Sequence, residues 1–292
     1  MCGECTPFFD ISRLASSYSY LGVVWADLAP FKIRRRKEVP DCRVCLYRSA
    51  IIFSPKTFGF SFWLQPMAEL GFMMVMVDGR GSSGRSRAFR QFSYRNLGGA
   101  FEDHVAMIKQ MAARHPYMDA NRVGIYGTSA GGYGAAHAML TFPEFCKVGV
   151  STSGDHDARL DKAWWNELYQ GFPVLDDYVA QSNVTMAGRL QGHLLLEHGD
   201  KDDNVHPVET MRFVDAVMKA NRNFDMLFVP NMFHGESGEH ALYLVRRRWD
   251  YFVQNLLGVT PPPTSKSKKI ASRAGAGGDG VNSTAWVRFA RE

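Results

Sequence analysis

Between Lys56 and Val259, short apolar runs alternate with amphipathic stretches at a regular beat. No other feature of the 292-residue chain constrains its fold as much. Phe72–Val77 reads FMMVMV, without a polar break, which suits a strand covered on both faces. Ala100–His115 follows, with Val105, Ile108 and Met111 near helical spacing, and Pro116 ends it. Further strands are expected at Arg122–Tyr126, Lys147–Thr152, His193–Glu197 and Met226–Val229. Helices are expected at Ala130–Leu140, Ala163–Tyr169, Asp176–Gln181, Pro207–Asn221 and Glu239–Leu257. Strands separated by helices of this length argue for an α/β fold, with a mostly parallel sheet covered by helices on both faces.

The flanks read differently. Residues 1–55 form an irregular segment: an apolar patch at Tyr20–Phe31, the basic run Arg34-Arg35-Arg36-Lys37, and Cys42–Phe53, which suits one strand. Residues 260–292 open with Pro261-Pro262-Pro263 and continue through Ser, Lys, Ala and Gly, a composition expected to stay disordered. Residues 56–259 are the folded domain. The net charge of +5 divides as +3 on residues 1–55 and +4 on residues 260–292, leaving −2 for that domain. A domain built to grip nucleic acid would carry the opposite sign.

No run approaches the roughly 18 apolar residues of a membrane helix, and Tyr20–Phe31 is short and contains Asp27. Without a basic segment and a cleavage pattern around it, no signal peptide is expected. The default location is cytoplasmic, or secreted or periplasmic if the N-terminus is incomplete. The cysteines form two C-x-x-C pairs, Cys2/Cys5 and Cys42/Cys45, with Cys146 alone. The pairs lie 36 residues apart, against about 15–20 in a zinc ribbon, so free thiols are expected and no metal.

Gly127-Thr128-Ser129-Ala130-Gly131 fits G-x-S-x-G. Chance supplies such a string in roughly one chain of this kind in six, so its context matters more. It follows one expected strand directly and opens a helix rich in Gly and Ala, as a nucleophile elbow does. A serine hydroxyl is a weak nucleophile and needs a histidine base, itself oriented by a carboxylate. In this arrangement the chain order is Ser, acid, His, each on a loop after a strand. His193–Glu197 leads into a loop holding Asp200, Asp202 and Asp203, any of which could be the acid. Met226–Val229 leads into a loop holding His234.

With these residues the stretch Lys56–Val259 resembles the catalytic domain of the prolyl oligopeptidase family of serine peptidases, in its dipeptidyl peptidase IV branch. Four motifs in the family's order carry the likeness: Asp78-Gly79-Arg80-Gly81, Gly127 through Tyr133, His198-Gly199 through Asp202-Asp203-Asn204-Val205-His206, and His234-Gly235. The resemblance implies an α/β-hydrolase fold, here with incomplete N-terminal strands. It implies Ser129 as nucleophile, Asp202 as acid, His234 as base and the Ala130 backbone N–H as an oxyanion donor. It also puts Trp165 and Tyr169 in the wall of a proline-accepting pocket, equally readable as a core-facing helix stripe. Val205 would adjoin that pocket and Asn204 would lie near the substrate carbonyl. The family's second oxyanion donor, a tyrosine hydroxyl shortly before the position of Lys56, has no assignable counterpart in Tyr47–Pro55. Its β-propeller has none within the 292 residues.

The expected function is therefore hydrolysis of peptides, in a dipeptidyl-peptidase-like manner after proline, through an acyl-enzyme on Ser129 and without a cofactor. Two alternatives stay open: an esterase using the same triad, and a hydrolase-like chain that binds without turnover. Peptide is the expected partner, with neither nucleic acid nor membrane. The sequence is silent on oligomeric state.

Overall fold

The computed structural model describes residues 65–236 and 238–261, together with the strand backbone at residues 39–44. The chain divides into the units Met1–Thr260 and Pro261–Glu292, and every element below belongs to the first. The pairs Cys2/Cys5 and Cys42/Cys45 and the tail beyond Pro261 lie outside the residues whose side chains are described. Cys146 is a buried free thiol.

Six parallel strands form one sheet: β1 (Val39–Val44), β2 (Met73–Val75), β3 (Met118–Thr128), β4 (Cys146–Thr152), β5 (His193–Gly199) and β6 (Asp225–Val229). Their order is β2-β1-β3-β4-β5-β6. The helices are α1 (Gln65–Glu69), α2 (Arg87–Gln91), α3 (Phe101–Arg114), α4 (Ala130–Thr141), α5 (Ala163–Gln170), α6 (Asp176–Ala180), α7 (Asn183–Met186), α8 (Val208–Lys219) and α9 (Ala241–Leu256). The chain steps outward from β1 to β2 and then returns past β1 to β3. The order thus reverses between β1 and β3, and in such sheets ligands bind beyond the carboxyl ends of the strands at this reversal.

Alternation along each strand feeds two cores. Val123, Ile125, Leu194 and Leu196 pack with Phe101, Ile108, Met139 and Phe213 from α3, α4 and α8. Tyr126, Val150 and Leu195 face the opposite side and pack with Met67 of α1 and with Tyr251, Phe252 and Leu256 of α9. Both faces are dry, so the strands can be apolar throughout.

The boundaries differ from expectation in instructive places. β1 precedes Lys56, yet it pairs on both sides, with β2 and β3. The sheet therefore begins inside the segment expected to be irregular, and overlaps the anticipated strand only at Cys42–Val44. β3 starts four residues early, because Met118 and Asp119 pair with Val39 and Pro40 before the register shifts. Helix α8 starts at Val208, with Pro207 outside it as the cap. The closing helix opens with a 3-10 turn at Gly238–His240.

Candidate active site

The elbow comes directly off the central strand. β3 ends at Thr128, and Ser129 takes φ 62° and ψ −124°, a conformation that non-glycine residues occupy at a cost of about 1–3 kcal/mol. Two backbone bonds hold it there: the Ser129 N–H donates to the Thr152 carbonyl at 2.9 Å, and the Ser129 carbonyl accepts from Tyr133 N–H at 3.0 Å. Ser129 itself is half-buried. Ala130 is the first residue of α4, where backbone N–H groups lack helical partners and can meet an anion. The close approach of α4 to the end of β4 depends on Gly132, where a β-carbon would lie 2.5 Å from the Thr152 carbonyl oxygen.

The loop after β5 sorts its three aspartates. Asp200 and Asp203 are exposed, whereas the Asp202 side chain is fully buried. Asp202 Oδ1 accepts from the N–H of Asn204 at 3.0 Å and of Val205 at 2.9 Å. His234 Nδ1 lies 3.0 Å from Oδ1 and 2.9 Å from Oδ2. Burial alone would raise the pKa of this carboxyl. Hydrogen bonds from His198, His234 and the Val205 N–H outweigh burial and hold it well below the usual carboxylate range. The acid is thus ionised at neutral pH and faces an imidazole whose Nε2 is left for other work.

His234 sits in the loop after β6, half-buried, and that loop is pressed against β5. A β-carbon on Gly199 would lie 2.1 Å from the Met232 carbonyl oxygen. The next residues are tied down twice. Gly235 N–H donates to Ser153 Oγ at 3.2 Å. Glu236 forms a buried ion pair with Arg248 of α9, whose guanidinium lies 4.5 Å from the centre of the Tyr126 ring. Ser153, with φ 48° and no exposure, also donates its N–H to the Glu197 carbonyl at 2.8 Å. Its neighbour Thr152 donates its hydroxyl to Glu197 Oε2 at 2.7 Å. The end of β4 therefore bonds to the serine turn, to β5 and to the histidine loop. Ser153 cannot be singled out from the sequence, because a lone serine after a strand carries no pattern.

Trp165 and Tyr169 lie half-buried on α5, their ring centroids 4.6 Å apart, against Leu97, Ala100 and Tyr133. Tyr133 is in the first turn of α4, so the pair does sit near the elbow. Asn204 is exposed, and its carbonyl accepts from the Lys162 ammonium. Val205 is 3% exposed and meets the site through its backbone. Two further buried acids lie on the loop after β4 and in the first turn of α8. Burial raises Asp155 to about 8, and burial with the nearby Asp155 charge raises Glu209 to about 9. No three His, Cys, Asp or Glu side chains among the described residues are grouped to hold a metal.

Residues 58–258 match the model of the prolyl oligopeptidase family, peptidase family S9. The chain belongs to the prolyl oligopeptidase family. Family members similar to it include dipeptidyl peptidase 8 of Homo sapiens, 30% identical over 206 residues, or 67% of this chain and 22% of that protein. The probable dipeptidyl-aminopeptidase B of Arthroderma otae is 29% identical over 208 residues, 68% of this chain and 22% of that one. Among solved structures, Porphyromonas gingivalis dipeptidyl peptidase 4 superposes with a TM-score of 0.69 at 29% identity, covering 75% of this chain and 32% of that chain. The acylaminoacyl peptidase of Pyrococcus horikoshii shares the fold, with a TM-score of 0.69 at 21% identity, over 77% of this chain and 39% of that one. These neighbours place the sheet in the α/β-hydrolase class of the prolyl oligopeptidase family. The chain spans less than a quarter of the two relatives named first. No helix among the described residues is long and apolar enough to cross a membrane.

Proposed function

We propose that the chain is a serine peptidase of the dipeptidyl-peptidase type, with Ser129 as nucleophile, His234 as base and Asp202 as acid. One observation carries this: a buried Asp202 carboxyl within 3.0 Å of His234 Nδ1, in the chain order that follows a strained serine turn. Asp202 fixes the tautomer in which Nδ1 holds the proton, leaving Nε2 to take the Ser129 proton as the hydroxyl attacks a carbonyl carbon. The Ala130 N–H donates to the oxygen of the tetrahedral intermediate. His234 returns the proton to the leaving amine, and then activates the water that releases the acyl group.

Peptides are the substrate class this reading takes. The relatives' names support removal of dipeptides, and Trp165 with Tyr169 would accept the penultimate proline. A fluorophosphonate probe tests the assembly directly, since it labels only an activated serine. Labelling of the wild-type chain at Ser129, absent from Ser129→Ala, is the expected result. A wild-type chain that is folded and unlabelled would remove the proposal.

A further inference from the structure

His198 lies next to the end of β5, and its ring is fully buried. A buried imidazole left with an unpaired nitrogen costs about 1–3 kcal/mol, so its partners define its state. Nε2 lies 2.9 Å from the Val205 carbonyl oxygen and 3.2 Å from Asp202 Oδ2. Both are acceptors, so Nε2 carries the proton. Nδ1 lies 2.7 Å from Thr210 Oγ1 in α8, and a bare Nδ1 accepts from that hydroxyl, which is able to donate. The contacts thus aim an Nε2–H donor, with Nδ1 held on the Thr210 hydroxyl, at the carboxylate that His234 uses.

Asp202 needs such a partner. Its Oδ1 is held by two backbone N–H groups as well as by His234, whereas among the described residues its buried Oδ2 meets the two imidazoles. Without His198 the carboxylate could pivot about Oδ1, and the Val205 carbonyl would lose its imidazole donor.

We propose that His198 is a second imidazole on the triad acid, a positioning residue held by Thr210 in the Nε2–H form, which locks the Asp202 carboxylate in the orientation His234 requires. This rests on the triad reading above. Loss of the whole acid function costs about 10⁴ in rate, and the partners that orient metal-ligating side chains, which act in the same way on a different group, are worth about 10–100-fold.

The experiment compares fluorophosphonate labelling rates of the 292-residue chain and three variants, with melting temperatures beside them. His198→Phe fills the space without a donor, His198→Gln keeps an N–H near the Nε2 position, and Thr210→Val removes the group that fixes the tautomer. The expected result is a loss of about 10–100-fold in His198→Phe, near-complete recovery in His198→Gln, and slowed labelling in a folded Thr210→Val. Wild-type rates in His198→Phe overturn the proposal. So does a His198→Gln variant as slow as His198→Phe, because the donor would then not matter. Should His198→Phe fail to fold, folded Thr210→Val decides: slowed labelling supports the tautomer lock, and an unchanged rate overturns it. An unlabelled wild-type chain is a separate outcome, in which the triad reading fails and takes this inference with it.

Discussion

At the scale of single residues, the Asp202 carboxyl decides what His234 can do. Three aspartates fall within four positions of the loop after β5. In space they are unlike, because only Asp202 is buried and within reach of His234. Asp202→Asn is therefore expected to lose about 10⁴ in turnover, since the wrong tautomer of His234 results. Asp200→Asn and Asp203→Asn, on exposed side chains, should retain nearly full activity toward a p-nitrophenyl ester. A larger loss in Asp203→Asn than in Asp202→Asn would refute the assignment. His198 escaped the sequence reading as a functional residue because a histidine ending a strand is indistinguishable there from a satisfied core histidine. Its partners Thr210 and Val205 come from other positions along the chain, and no spacing rule joins them.

At the scale of elements, the central alternation was legible because burial on both faces forces apolar strands and striped helices. The long helices α3, α4 and α9 lie within a residue or two of their expected limits. The short helices α2 and α7 were not seen, since one turn of helix shows too little periodicity to separate it from a loop. The early start of β3 was hidden by the stretch Asp119-Ala120-Asn121-Arg122, which is half-buried or exposed and falls where the pairing with β1 shifts register. Two element-level predictions follow from close contacts. Gly132→Ala drives a β-carbon into backbone at the end of β4, so it should cost about 1–3 kcal/mol in denaturant unfolding and abolish Ser129 labelling. Arg248→Met strands Glu236 in a buried place, with about 3–5 kcal/mol expected, and Glu236→Leu in the same chain should restore much of it. Equal losses for the single and double variants would show that α9 does not hold the histidine loop through this pair.

At the scale of the whole molecule, buried acids should set how stability depends on pH. Asp155 and Glu209 are raised on folding from 3.8 and 4.5 to about 8 and about 9. A raised group contributes fully below its unfolded value, and its contribution is lost as pH rises through the folded one. Burial lowers His137 and His156 from 6.5 to about 4 and about 3, and their contributions decline only on the acid side of 6.5. The melting temperature is thus expected to fall from pH 6.5 to pH 9, and Asp155→Asn combined with Glu209→Gln should flatten that slope. An unchanged slope in the double variant would show that other groups set it. The 292-residue chain should also hydrolyse p-nitrophenyl esters more readily than Gly-Pro anilides. Amides demand leaving-group protonation and strict alignment, and the oxyanion donor of the proposed site is the Ala130 N–H. Efficient turnover of a Gly-Pro anilide by this chain would contradict that. The bonds gathered at the end of β4 have a consequence for motion. Ser129 and Gly235 donate their backbone N–H groups to Thr152 and Ser153, and Ser153 donates its own to β5, so none of the three loops can open alone without breaking a tie to the others. Amide protons at Ser129, Ser153 and Gly235 should exchange with deuterium as one cooperative unit, and the site would then be lost in a single step when β4 frays rather than loop by loop.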